Sequence, residues 1–312
     1  MTPEDAAREK SLGGVFVFSA YVLWGFLPFY FVSLAPTTPW EVVGWRIVLS
    51  LVFCVALIAV TRGWGRMRAI LRDRRLMLWT LVAGLLIYVN WQVFLIGTLT
   101  GHVVETSLGY FINPIATVLL GVLVLKERLR PAQWVAVGIA VAAVVVIIVA
   151  VGDVPWIALA LAASFATYGL VKKRIGPSVD AVSGLTLESF WLVPIAVIQL
   201  VAVGVTSGLT MGREGSGHVV LLLLAGAVTA IPLLFFSAGA RRTSLTVVGI
   251  LQFIAPVMQF LTGVLILQEP MPFERWIGFG LVWVAIAVFA VDSLLASRRE
   301  RARAVTAVPD PV

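Results

Sequence analysis

The chain has 312 residues and a formal charge of +7, with 60% of its residues hydrophobic and only 12% charged. So apolar a composition excludes a water-soluble globular domain and places the chain in a lipid bilayer. The positive charge excludes nothing until its placement is known, because basic residues mark nucleic-acid contacts or membrane topology alike.

Crossing hydrocarbon about 30 Å thick takes roughly 20 apolar residues as a helix. Ten such spans are expected, near 13–34, 41–61, 76–97, 105–125, 132–151, 155–171, 181–206, 219–239, 245–267 and 274–295, the sixth being the shortest. Residues 1–12 form an N-terminal segment, and the run after it is too long for the core of a cleaved signal peptide, so span one stays in the protein. Trp24 lies deep within it. Span two carries Arg46 and the single cysteine, Cys54, which has no partner for a disulfide or a metal site. Span three reads "YVNWQVF", which puts Tyr88 and Gln92 on one helical face and turns Asn90 and Trp91 elsewhere. Trp45 in span two and Trp191 in span seven, like Trp24, lie too deep for an interfacial belt and would either pack in the core or wall a pocket.

His102 and Glu105 stand at the mouth of span four. Two groups are too few for a metal, and a helix N-terminus beside Glu105 accounts for a carboxylate there. Farther along, Asn113-Pro114 breaks the backbone ladder: proline lacks an N–H, so the carbonyl of Tyr110 is freed. Tyr168 is a polar aromatic candidate in span six, and Glu188 stands about seven residues into span seven. In span nine, Pro256 frees the carbonyl of Gln252 in the same way. Residues 296–312 form a basic tail, read as partly disordered and unpatterned from Ala304 onward.

Twenty of the 23 Lys and Arg residues fall on the side that holds both termini, and the opposite loops hold only Arg213 and Arg275. Cytoplasmic loops are enriched in these residues, so both termini are expected in the cytoplasm. The basicity is topology rather than a nucleic-acid footprint.

"GVLVLKE" at 121–127 returns as "GVLILQE" at 263–269, and a shift of 142 positions makes eleven residues identical over 111–138. The same shift carries Gly84 onto Gly226, Gly97 onto Gly239 and Pro114 onto Pro256. The chain is therefore two copies of one plan, 13–151 and 155–295. Five spans per copy is odd, so the second enters the membrane from the opposite side. The expected fold is an all-α integral membrane protein of ten transmembrane helices in two inverted five-helix repeats, a recurrent plan of secondary transporters whose substrate site lies between the halves.

The shift also carries Arg46 onto Glu188. A charge at mid-bilayer costs at least about 2.5 to 3.5 kcal/mol, so neither is ornamental. Each is expected about 10 Å from its own membrane surface, which leaves a gap that a direct salt bridge would need tilt or unwinding to close. Two accounts stay open. In one the charges are structural, with Arg46 snorkelling toward Glu41. In the other Arg46 binds an anionic or polar substrate group and Glu188 takes up protons. The substrate-binding candidates are Arg46, Glu188, Trp24, Tyr88, Asn90, Gln92, Tyr110, Asn113, Tyr168 and Gln252; the coupling or gating candidates are Glu105, Pro114 and Pro256.

"ETSLGYFINP" from Glu105 to Pro114, followed by "LLGVLVLKERL", resembles the RarD group of EamA-type transporters in the drug/metabolite transporter superfamily. The similarity extends through "YVLWG" around Trp24, "WEVVGWR" with Arg46, "NWQ" from Asn90, "TLESFWLVP" around Glu188 and "LQFIAP" with Gln252 and Pro256. It implies a ten-span carrier of the bacterial inner membrane that exports small molecules. A small-molecule substrate, with protons as a candidate second partner, and the lipid bilayer are the expected partners, with no nucleic acid. No GxxxxGK[ST], HExxH or GxSxG is present, so neither an enzyme nor a cofactor is expected. The competing reading is a membrane sensor or assembly scaffold that transports nothing. Small-residue faces are too common in membrane helices to specify an oligomeric state.

Overall fold

The computed structural model describes residues 3–126, 128–176 and 178–306, all of whose regular structure is helical. The ten expected spans are ten rods. Span one is Pro3–Gly25 continued by Leu27–Val32, span two Pro39–Val60, span three Arg74–Leu99, span four Val103–Leu125 and span five Pro131–Val151. Span six is Trp156–Ile175 and span seven Ala181–Thr206; span eight joins Ser216–Leu223 to Ala225–Ala240. Span nine runs Leu245–Leu251, Ile254–Leu261 and a π-helical turn Thr262–Ile266, and span ten is Phe273–Thr306. A short helix, Trp64–Arg72, fills the loop between spans two and three.

Local chemistry sets these limits. Thr38 caps span two by accepting from Glu41 N, with Pro39 pre-set for the first turn; Asp73 caps span three and Asp180 span seven. Gly152 ends span five at φ 82°, where only a residue without a Cβ sits without strain. Among the described residues nine rods are long and apolar enough to cross a membrane by themselves. Span six falls short because it ends in Lys172, Lys173 and Arg174, and it is enclosed instead, with Ile157, Leu161 and Ala166 buried.

The packing obeys the 142-residue symmetry. Span one packs on span eight as span six packs on span three, while spans two and seven, and five and ten, pair across the axis. Glycines permit the closest approaches. Gly84 lets span three lie on the backbone of Glu188 in span seven, and its equivalent Gly226 lets span eight lie on the backbone of Leu49 in span two. In span five one face, with Ala136, Val137, Ala140, Ala143 and Ile147, is buried, while Val141, Val145 and Val149 are exposed to the lipid side.

Two expectations are corrected. Span four is not interrupted at Pro114 but runs as one helix, whereas span nine breaks at Gln252 and Phe253. The tail is helical through Thr306 because span ten continues past its apolar stretch; 307–312, where disorder was also expected, lie outside the described residues.

Candidate functional site

Arg46 sits seven residues after Pro39, about 10 Å below the end of span two at 1.5 Å per residue. It is 5% exposed. Its Nε donates to Thr229 Oγ1 of span eight at 2.8 Å, and its guanidinium carbon lies 4.2 Å from the ring centre of Trp91 and 5.4 Å from that of Phe31. The buried Nη1 has no partner. At similar depth Gln199 of span seven donates to both Tyr88 Oη, at 2.9 Å, and Gln92 Oε1, at 2.8 Å, so the predicted shared face of Tyr88 and Gln92 bridges to the other half.

Asn90 does turn elsewhere. Its Nδ2 donates to Ser164 Oγ of span six at 3.2 Å, and its Oδ1 accepts from Tyr110 Oη at 3.1 Å. Lower still, Glu188 is 1% exposed and accepts from Lys172 Nζ at 2.7 Å and Tyr168 Oη at 3.1 Å. Its partner is thus Lys172 and not its symmetry equivalent Arg46.

An aromatic ladder joins the two charged ends. Successive ring centres of Tyr30, Phe31, Phe94, Tyr110, Phe165 and Tyr168 are 5.0, 6.1, 5.8, 5.9 and 6.0 Å apart, within the range of favourable edge and tilted contacts. Tyr30, Tyr110, Phe165 and Tyr168 remain half-buried along it. Arginine, amide, hydroxyl and carboxylate therefore follow one another through the bundle beside an apolar wall.

The face opposite the termini is tied across the halves by two buried carboxylates, Glu41 and Glu269, and the half-buried Glu105. Glu41, offered above as a surface anchor for Arg46, instead accepts from Thr210 N at 2.9 Å and Met211 N at 3.2 Å in the loop between spans seven and eight. Glu105 accepts from Ile157 N at 2.9 Å, so the helix N-terminus that holds it is that of span six. Glu269 accepts from Val103 and Val104 N, the second at 2.8 Å, at the start of span four. The face of the termini carries more exposed ties, Arg130 to Asp292 at 2.6 Å and Arg242 to Glu9 at 3.3 Å.

Several candidates stand apart. The ring of Trp24 packs on Tyr21 and Phe236, and its carbonyl, deprived of a donor by Pro28, accepts from Gln259 at 3.2 Å. Gln252 donates to Gly249 O within its own helix, and Asn113 Oδ1 is buried without a partner; neither bonds to Arg46 or Glu188. Pro114 and Pro256 are buried in spans four and nine. Trp45 and Trp191 use their indole N–H groups on Glu41 and Thr80. His102 pairs with Thr100, and among the described residues no group of three His, Cys, Asp or Glu is placed to hold a metal ion. A cleft of about 40 Å³ beside Glu105, Asp153 and Arg275 has room for water rather than a solute.

Thr229, Gln199, Lys172 and Glu269 are the residues that sequence reasoning passes over, and Trp91, placed only by its helical face, proves to lie on Arg46. Lys172 follows Tyr168 by one helical turn, and Glu269 ends the repeated phrase, so both left a signal.

Comparison with known proteins supplies the family context. The model of the EamA-like transporter family matches twice, over residues 11–149 and 154–291. Protein RarD of Streptomyces exfoliatus is 44% identical over 304 residues, covering 97% of this chain and 96% of that protein. An uncharacterized transporter of Vibrio cholerae is 38% identical over 301 residues, 96% of this chain and 98% of the relative. One solved crystal structure superposes with a TM-score of 0.58 at 20% identity, over 93% of this chain and 99% of the other, a likeness of fold.

Proposed function

This chain belongs to the EamA-like transporter family, and from that premise we propose that it is a secondary carrier that exports a small organic solute by alternating access. Both termini then lie in the cytoplasm, in accord with the positive-inside rule. The observation that carries the reading is Arg46, a guanidinium held almost wholly out of water with one nitrogen unpartnered, in a wall shared by the two halves. A scaffold would gain nothing from that cost, whereas a carrier recovers it each time a substrate group binds. The symmetry supports rocking. The latches of Glu41, Glu105 and Glu269 close one face, and releasing them while the other face tightens would turn the site around.

Glu188 is the coupling group in this reading. Protonating it removes its charge, releases Lys172 and leaves Tyr168 Oη free to turn. Proteoliposomes that hold the purified chain, offered a panel of metabolites and drugs, are expected to show saturable flux driven by a pH gradient. The Glu188→Gln variant is expected to retain exchange but lose the response to the gradient. Absence of saturable flux for every solute would sink the carrier reading; a pH response unchanged in the variant would sink the coupling role alone.

A further inference from the structure

None of the described ion pairs reaches the buried Arg46, and that unfilled contact specifies the cargo. We infer, resting on the carrier reading above, that the substrate is an organic monoanion whose carboxylate binds Arg46 and whose apolar body lies along the half-buried rings of Tyr30, Tyr110 and Phe165. Arg46 is nine-tenths buried and its Nη1 meets no acceptor, while none of the described ion pairs includes it. Neither Glu41 nor Glu188 is in contact with it. Glu41 stands at the end of the same helix with its oxygens on the amides of Thr210 and Met211, and Glu188 is matched by Lys172.

Glu41 keeps its own negative charge on neutral amides, so what Arg46 lacks is an anionic acceptor in direct contact, and one carboxylate supplies it. Beside Arg46 a dianion would place a second negative charge with no cation in contact, and an ammonium would place a second positive charge against the first, each a costly state there. Geometry narrows the choice further. Thr229 fixes Nε while Trp91 and Phe31 hold the guanidinium, so its remaining N–H groups form a fixed edge of the kind that matches the two oxygens of a carboxylate. The half-buried rings of Tyr30, Tyr110 and Phe165 then offer an apolar, edge-rich surface to the rest of the molecule.

The test is isothermal titration calorimetry of the full chain in lipid nanodiscs at pH 8 with four molecules of similar shape. These are 3-phenylpropionate, its neutral amide, 3-phenylpropylammonium and phenyl phosphate, with charges of about −1, 0, +1 and −2. The monocarboxylate is expected to bind roughly tenfold or more tighter than the other three. Arg46→Lys is expected to lose about tenfold of that affinity, since a lysine cannot present the planar fork. Thr229→Val, which keeps the charge but frees Nε, is expected to weaken binding several-fold without changing the order of ligands, and it decides the matter where Arg46→Lys does not fold. The inference is overturned if the amide, the ammonium or the phosphate binds as tightly, if the variants bind the carboxylate unchanged, or if the carboxylate gives no saturable heat. Flux of neutral or cationic solutes alone would leave the carrier standing and this class refuted; carboxylate binding with no flux of any solute would do the reverse.

Discussion

Lys172 shows how one side chain is hidden by its company. Arg46 and Glu188 announce themselves as charges in apolar runs, and the 142-residue shift pairs them. Lys172 sits in a Lys-Lys-Arg cluster whose sum reads as topology, and only its helical phase, one turn after Tyr168, points it at Glu188. Glu188 is buried but Lys172 is partly exposed, so removing one partner costs less than the roughly 3 to 5 kcal/mol of a fully buried pair, while replacing both is milder still. Glu188→Gln and Lys172→Met are therefore expected each to lower unfolding stability in detergent. The double variant is expected to recover a coupling of about 1 to 3 kcal/mol; strict additivity would mean that the pair is energetically idle.

Asp180 is a second single-residue case, at the loop before span seven. Burial alone would push its carboxyl up, but hydrogen bonds from Ser183 and the nearby Arg66 outweigh it and hold the carboxyl below its ordinary range. A depressed carboxylate contributes stability that is present above its unfolded-state pKa and lost as pH falls through the folded one. Asp180→Ala is expected to cost about 1 kcal/mol near neutral pH, the usual worth of an N-cap. The melting difference from the parent chain should shrink only once the pH drops below the ordinary carboxylate range; a difference that fades near pH 7 would contradict the assignment.

The repeat was legible where glycine marks it, and helix packing obscure where backbone geometry decides. Gly84 and Gly226 coincide under the 142-residue shift as marks of the repeat, and in the structure each meets backbone of the opposite half. The equivalence of Pro114 and Pro256 does not predict that span four stays whole while span nine breaks, because a freed carbonyl can be bridged or left bent according to its neighbours. Trp24 follows the same rule: its freed carbonyl is met by Gln259, a partner 235 residues away that no local pattern reveals. A Cβ at position 226 would press into the carbonyl of Leu49. Gly226→Val is thus expected to destabilise the chain by about 1 to 3 kcal/mol and to lower its yield as a monodisperse species. Wild-type stability in that variant would show that spans two and eight lie farther apart than described.

The two halves share one plan but are not in one conformation, and that difference is what an inverted pair needs in order to turn a site from one face to the other. Buried carboxylates close the face opposite the termini, and Glu269 is the tie that reaches from the second half to the start of span four. Glu269→Ala is expected to loosen that face and raise its reactivity toward thiol probes placed behind it. The most direct measurement uses the single cysteine to advantage: replace Cys54 by Ala, introduce Tyr110→Cys on the ladder, and label with a membrane-impermeant thiol reagent from each side of oriented vesicles. The account predicts labelling from both faces, with access from the face opposite the termini increased by Glu269→Ala and decreased on the other. Labelling from neither face, or only by lipid-soluble reagents, would contradict a passage between the halves.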